Sequence, residues 1–360
     1  MEFDPRRPFD ALPLLPPRVD VETKPILKQA LAASRAVAEL KGAGHMIPNQ
    51  AILINAIPLQ EAKLSSEIEN IVTTQDELFR ATLGENADVS AEAKEVLRYR
   101  TALRQGFEAL ESGALSLDLL RTICSTILDQ PTDFRSADEL VYIGNRTATR
   151  VTYTPPRGGA PLLAKLRNLE SYLLEPDGPD PLIRMAVAHY QFEAIHPFVD
   201  GNGRTGRILN ILYLLHAGLL EIPTLYLSRY ILRHKPAYYQ LLRSVTENGD
   251  WEPWLLYILK GLEETALWTT GRIQAVRDLF EETAYRCRTQ LPKVYSKDLI
   301  ELIFELPYCR IAFVVNAGIA KRQTASEYLQ ELERIGILTG EKRGREVIYK
   351  HPALLDLLTA

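Results

Sequence analysis

Apolar residues recur every three to four positions along most of this chain, the period of helices that bury one face. The pattern predicts a helix over residues 24–40, ended by Gly42 and Gly44. Residues 49–73 read as one or two short helices divided at Pro58, whose ring lacks the N–H a helix needs. Residues 90–111 form a clear amphipathic helix with Ser90 as N-cap and Glu92 in the first turn. Ala93 stands where a full capping box would need Glu or Gln. A further helix covers 117–128, capped by Ser116. The period then shortens: Val141-Tyr142-Ile143 and the run from Arg150 to Thr154 read as two strands of a hairpin, stopped by Pro155-Pro156. Helical spacing returns over 161–175, 181–195 and 204–216, where Gly218 is a natural stop, and continues to about residue 290.

The last segment changes character. Helices are predicted over 296–305, 314–318 and 323–335, followed by a strand pair split by Lys342-Arg343-Gly344-Arg345. Short helices, a longer helix and a basic hairpin, in that order, make a winged helix-turn-helix. The proline-rich stretch 1–20 is expected to lie extended over the body. The predicted fold is mainly α, with one small β-hairpin and a C-terminal winged helix-turn-helix domain. The expected division is 1–95, an N-terminal helical segment; 96–270, a core; and 271–360, a linker helix with the winged helix.

Composition narrows the partners. With 42 Lys and Arg against 46 Asp and Glu, the net charge of −4 argues against a generally basic nucleic-acid binder. Cys124, Cys287 and Cys309 are far apart and lack metal-site spacing, which suits a reducing, cytoplasmic setting. The first residues carry no apolar core of a signal peptide. The longest apolar run, 208–220, contains Asn210 and His216 and is too short to span a bilayer, so no membrane role is expected.

One stretch concentrates chemistry: His196-Pro197-Phe198-Val199-Asp200-Gly201-Asn202-Gly203-Arg204-Thr205-Gly206-Arg207. Pro197 disfavours further α-helix at His196, so the imidazole should open a loop. Histidine can take a proton at neutral pH. Asp200 can hold a magnesium ion or close an Asx-turn. Gly201, Asn202 and Gly203 can present N–H groups to phosphate at the start of a helix, with the Asn202 amide as a further donor. Arg204 and Arg207 share a face of that helix. Cations there oppose the helix dipole unless a phosphate offsets them. Phe198 is expected to pack inward.

This stretch resembles the signature of the Fic (filamentation induced by cAMP) family, His-Pro-Phe-x-Asp/Glu-Gly-Asn-Gly-Arg-x-x-Arg, and matches it at every specified position. The resemblance implies a Fic-type helical core and a protein adenylyltransferase. It would move AMP from ATP onto a Ser, Thr or Tyr hydroxyl of a target protein, or of itself, releasing pyrophosphate. It implies His196 as general base and Asp200 as ligand of Mg2+. It implies an ATP site of Gly201, Asn202, Gly203, Arg204, Thr205, Gly206 and Arg207. Upstream, Ser65-Ser66-Glu67-Ile68-Glu69-Asn70 resembles the family's inhibitory motif, Ser/Thr-x-x-x-Glu-Gly/Asn, in Ser65, Glu69 and Asn70. There Glu69 would take Arg207 from the γ-phosphate. The same carboxylate could orient water to remove AMP from modified targets.

The predicted hairpin corresponds to the family's target-binding flap, with Arg150, Val151, Thr152 and Tyr153 on it. A strand edge of this kind can hold a target by main-chain pairing. Tyr238 and Tyr239 are candidates for the adenine pocket. His189 lacks companions at metal spacing and reads as structural. A homodimer follows from the resemblance alone. The alternative reading is a nucleotide-sensing, DNA-binding regulator. Lys321, Arg322, Lys342, Arg343 and Arg345 would face DNA, although Glu327, Glu331 and Glu333 weaken that basic face.

Overall fold

The computed structural model describes residues 3–83, 89–113, 115–144, 151–343 and 346–359. The larger, N-terminal part runs α1 (Lys24–Gly44), α2 (Ala51–Ile68), α3 (Gln75–Ala81), α4 (Ala91–Ser112), α5 (Leu117–Leu128), β1 (Ile143–Gly144), β2 (Val151–Tyr153), α6 (Ala160–Leu174), α7 (Pro181–Ile195), α8 (Asn202–His216), α9 (Leu227–Arg233), α10 (Lys235–Asn248) and α11 (Trp251–Gln290). The fold is mainly helical, with small antiparallel sheets, as the periodicity predicts. Ser90 accepts from the Ala93 N–H at 3.1 Å and Ser116 from the Leu119 N–H at 3.2 Å, so both expected caps form.

Several boundaries differ from the sequence reading. Pro58 does not divide its segment: α2 passes through it as one helix. A proline removes one hydrogen bond and crowds the carbonyl four residues back, but burial on both sides of it holds the helix together. Gly42 lies inside α1, which ends at Gly44. The strands are shorter than expected: Val141 and Tyr142 precede β1, and Thr154 follows β2. Arg150 and the rest of the connection lie outside the described residues. Helix α3, capped by Thr74, was not anticipated.

Helix α7 is the centre of the molecule. All its residues except Pro181 and Glu193 are buried. It packs against α8, α6, α11 and α1. A helix covered on every side needs no polar face, which explains its largely apolar sequence, and its buried Arg184, His189 and Gln191 are each hydrogen-bonded. Helix α1 buries Ile26, Ala30, Ala33, Val37 and Leu40 against α11. Alanines at the contact let the two axes approach closely. The extended segment before α1 lies on this body: Leu12 and Leu15 are buried, Lys165 donates to the Leu12 carbonyl (2.7 Å) and Gln191 to that of Pro13 (2.8 Å).

Helix α11, about 60 Å long at 1.5 Å per residue, carries the chain into the C-terminal unit. That unit comprises α12 (Lys297–Glu305), β3 (Tyr308–Cys309), α13 (Ile311–Asn316), α14 (Arg322–Arg334), β4 (Thr339–Arg343), β5 (Glu346–Lys350) and α15 (Pro352–Thr359). Its sheet is antiparallel in the order β3-β5-β4. This is the winged helix-turn-helix order, with β3 and α15 as additions the sequence did not announce. The unit docks on α2 and α3: Asn55 donates to Glu305 (3.1 Å), Tyr308 donates to Asp76 (2.6 Å), and the Phe79 and Tyr308 rings stack at 5.5 Å.

Leu40 is fully buried between α1 and the body, while Leu31 on the same helix is 53 % exposed. Leu40→Ala is expected to cost about 2–5 kcal/mol in urea unfolding. Leu31→Ala should stay within about 0.5 kcal/mol. Equal effects of the two substitutions would contradict this packing.

Candidate active site

Helix α7 ends at His196, which turns into the left-handed region (φ 50°, ψ 64°) while its N–H still bonds the Phe192 carbonyl at 2.9 Å. The chain leaves the helix where Pro197 predicts, although through a left-handed corner rather than an extended one. Phe198 is buried, its ring centroid 5.2 Å from that of Phe134. Asp200 Oδ1 accepts from the N–H of the next residue, Gly201, at 2.6 Å, one residue short of an Asx-turn, and the rest of this exposed carboxylate faces outward. Gly201 sits at φ 80°, and an added Cβ would meet Cys124 Sγ at 3.2 Å, so only glycine fits this corner. The first helical bond of α8 is Thr205 N–H to the Gly201 carbonyl, 2.9 Å. The preceding amides therefore sit at the positive end of the helix, without intrahelical acceptors.

The Asn202 side chain is not free to meet an anion, contrary to the sequence expectation. Its Oδ1 accepts from the Phe198 N–H and its Nδ2 donates to the Phe198 carbonyl, both at 2.8 Å. A buried amide with both ends bonded to one residue is a loop clamp. Arg204 is buried and donates to Glu95 of α4, with Asp200 at 3.9 Å. Thr205 is buried, and Gly206 is buried where α8 meets α7, where a Cβ would strike Phe192 and Glu193.

Arg207 is the most constrained group of the site. Nε donates to Ser65 Oγ (2.7 Å), and Nη2 donates to the Ser65 carbonyl (3.0 Å) and to Glu69 Oε1 (2.9 Å). The motif residues Ser65 and Glu69 thus meet Arg207 from α2, one helical turn apart. Asn70 takes the left-handed φ of 64° that ends this segment, and Lys235 donates to its side chain at 3.4 Å. Glu69 Oε1 lies where it would be only 2.3 Å from a Cβ on Gly203. The carboxylate occupies the space that the missing side chain leaves over the first turn of α8.

Electrostatics follow from this crowding. Burial pushes the Glu69 carboxyl upward, but the charge and hydrogen bond of Arg207, then Arg204 and His196, outweigh it and hold the group below its ordinary value. Burial, with Arg135 nearby, pulls the His196 imidazole down to about 4, although the Glu193 carbonyl, Glu69 and Asp200 oppose this. The ring is therefore neutral at physiological pH, as a general base must be. Its Nδ1 is buried without a hydrogen-bond partner. Burial, partly offset by Arg207, raises Glu193 to about 7. Glu61 also rises to about 7, mainly through burial, despite bonds from Ser228 and Tyr99.

The remaining candidates divide. Tyr238 is a core residue rather than a pocket wall: it is 2 % exposed, its hydroxyl lies 2.9 Å from His189 Nε2, and its ring packs against Trp254. His189 is held on its other nitrogen by Asn210 at 3.1 Å, the structural role expected for it. Tyr239 stands open beside the Glu69 and Arg207 charges. Val151, Thr152 and Tyr153 lie in β2, and the Tyr153 hydroxyl donates to the Ala194 carbonyl (2.7 Å), two residues before His196. Three partners were missed. Glu95 lies half-buried in the first turns of an ordinary amphipathic helix and gave no signal. Glu61 precedes Ser65 and Glu69 by multiples of four, a spacing that could have been read as one helix face. Arg135 stands alone in a loop sequence.

Among the described residues, no group of three or more His, Cys, Asp or Glu gathers in metal-binding geometry. No described helix is long and apolar enough to cross a membrane. All three cysteines are free and buried.

Comparison with known proteins places these features. Residues 27–108 match the Fic/DOC family N-terminal model, residues 114–214 the Fic/DOC family model, and residues 279–354 the model described as protein adenylyltransferase SoFic-like, C-terminal domain. The chain is 29% identical over 167 residues to the protein adenylyltransferase Fic of Drosophila willistoni, covering 45% of this chain and 30% of that protein. It is 33% identical over 138 residues to that of Aedes aegypti, covering 37% and 25%. The chain thus spans less than a third of the length of these relatives. A crystal structure of a Fic family protein from Desulfovibrio desulfuricans G20 is similar in fold, with TM-score 0.58 at 18% identity over 94% of this chain and 98% of that one. Fic-1 (residues 134–508) from C. elegans gives TM-score 0.53 at 23% identity, covering 69% and 74%.

Buried titrating groups make stability depend on pH in opposite senses. His196 and His189, lowered by burial to about 4 and about 3, stay neutral in the fold where the unfolded chain binds protons. Their contribution is complete above pH 6.5 and declines as the pH falls towards those values. Glu61, raised to about 7, contributes fully below pH 4.5 and loses its contribution as the pH rises through 7. Glu61→Gln removes this opposing titration. Its unfolding free energy in urea should therefore climb more steeply than the wild type's between pH 4.5 and 6.5, by up to about 1.4 kcal/mol per pH unit. Parallel curves would show that Glu61 ionises normally.

Proposed function

We propose, from the premise that this chain belongs to the Fic/DOC family, that it is a protein adenylyltransferase restrained by its own helix α2. The observation that carries this reading is the 2.9 Å pair between Glu69 and Arg207, set over Gly203 on the helix that follows His196. A carboxylate seated on a buried guanidinium at a helix N-terminus stands in for a phosphate oxygen, since both are anions read by the same donors. The seat fits ATP phosphates, and Glu69 holds it against them. The adenylyltransferase names of the similar proteins support ATP as the substrate.

In the released state, a target Ser, Thr or Tyr hydroxyl gives its proton to His196, neutral at working pH. Its oxygen then forms a bond to the α-phosphorus. The bond from that phosphorus to the bridging oxygen breaks, and its electron pair leaves with pyrophosphate. Arg207, freed from Glu69, and Arg204 offset the charge of the leaving group. The α8 amides hold the phosphates, Tyr239 faces the adenine side, and β2 presents its edge to the target backbone. Asp200 suits Mg2+. This ion uses one or two carboxylates alongside substrate phosphates rather than a full protein cage, in keeping with a single outward-facing acid here. Bound there, magnesium would supply charge neutralisation between phosphates. The DNA-regulator reading gains no support from the wing: Arg343 pairs with Glu341 at 2.8 Å and Arg310 with Glu346 at 3.5 Å.

Incorporation of AMP from α-labelled ATP with magnesium tests the reading. With about 1 % of the wild type in the competent arrangement, Glu69→Gly should label up to about 100-fold faster. His196→Ala in the same background should lose labelling and still bind ATP. Full labelling without His196 would refute the mechanism, and an unchanged rate in Glu69→Gly would refute the restraint.

A further inference from the structure

Arg135 lies in the loop between α5 and β1 and is 1 % exposed. Its guanidinium is held by four backbone carbonyls. Nε donates to His196 (2.8 Å), Nη1 to Glu139 (3.1 Å), and Nη2 to Pro156 (2.9 Å) and Ile195 (3.1 Å). Its own backbone joins the same knot: the Arg135 N–H donates to the Pro197 carbonyl (2.9 Å), and its carbonyl accepts from the Gly159 N–H (2.8 Å). The nearby acid Glu139 turns its carboxylate to the Ser136 N–H instead (2.7 Å). Burial correspondingly lowers the guanidinium below its ordinary value.

Those carbonyls belong to three separate pieces of chain. Ile195 and His196 end α7, where helix carbonyls lack intrahelical partners and the dipole is negative. Glu139 leads into β1, and Pro156 follows β2. A planar fork with five donors can bind all three at fixed angles, which an ammonium cannot. Tyr153 adds a second tie between hairpin and α7 through the Ala194 carbonyl.

We propose that Arg135 is the positioning residue of this site: it locks the left-handed corner at His196 and both feet of the β1–β2 hairpin into one unit. The base and the strand edge that carries the target hydroxyl then keep a fixed register. The catalytic part of this inference rests on the adenylyltransferase reading. The mechanical part does not. The guanidinium also places a positive charge near the imidazole. The other charges acting on the ring are Glu69 from α2 and Asp200 from the loop, with the Glu193 carbonyl on its own helix.

The test compares Arg135→Lys and Arg135→Gln, each in the Glu69→Gly chain, by single-turnover self-labelling over a range of α-labelled ATP concentrations. Arg135→Gln should lower the limiting rate about 10- to 100-fold, the effect of an ångström-scale misplacement, without moving half-saturation by ATP. Arg135→Lys, which keeps the charge and reaches fewer carbonyls, should recover part of the rate. An unchanged limiting rate, a change confined to ATP half-saturation, or equal losses in both variants would overturn the proposal. Amide hydrogen exchange on Arg135→Gln with Glu69 intact judges the mechanical part without catalysis. His196 and residues 151–153 should lose protection together while α8 keeps its own. Loss at only one of the two sites, unchanged exchange, or loss throughout α8 would overturn it. A Glu69→Gly chain that never labels would instead defeat the adenylyltransferase reading and leave exchange to decide on Arg135.

Discussion

A guanidinium taken out of water must be given partners, because an unpaired buried charge costs several kcal/mol. Arg207 imposes that requirement on the first turns of α8, and most of the surrounding architecture meets it. Ser65 supplies a hydroxyl and a carbonyl, and Glu69 supplies the charge. Both come from α2, so α2 must dock with its 61–65–69 face inward. Glu61 on that face is itself buried, and it binds Ser228 at the start of α9 and Tyr99 of α4. The C-terminal unit packs on α2 from another side. One arginine thus accounts for the placement of a helix that belongs by sequence to neither the signature nor the winged helix.

The two signature arginines take their carboxylates from opposite kinds of helix end. Arg204 is bonded to Glu95, one turn inside the N-terminus of α4, where Ser90 caps the Ala93 N–H. Arg207 is bonded to Glu69, the residue that closes the C-terminal end of α2, beside the left-handed residue Asn70. On the proposed reading, Glu69 is the partner that gives way to phosphate, and Ser65, one turn deeper, keeps hold of the arginine during the exchange.

Much of this was legible in the residues. Helical periodicity, the Ser90 and Ser116 caps and the glycine stops are local features, and local physics decides them. The meeting of Glu69 with Arg207 was legible only because two motifs stood together. What the sequence hid was tertiary. Asn202 looked like a donor for a ligand, and only the folded path of its own loop brings the Phe198 backbone, four residues earlier, to consume its amide. Tyr238 and Tyr239 are neighbours with the same chemistry, yet helix phase sends one into the core against His189 and leaves the other open. Pro58 looked like a break because propensity is blind to burial on both sides of it. Arg135 has no motif, and its setting exists only where four carbonyls from three pieces of chain converge.

Gly203 leaves a space that Glu69 fills in this structure and that, on the proposed reading, an ATP phosphate fills in the released one. On that reading, a side chain at this position would press on both occupants, so a single substitution there would loosen the restraint and crowd the nucleotide together. The means of separating the two lies instead in α2, whose Glu69 belongs to the restrained arrangement alone.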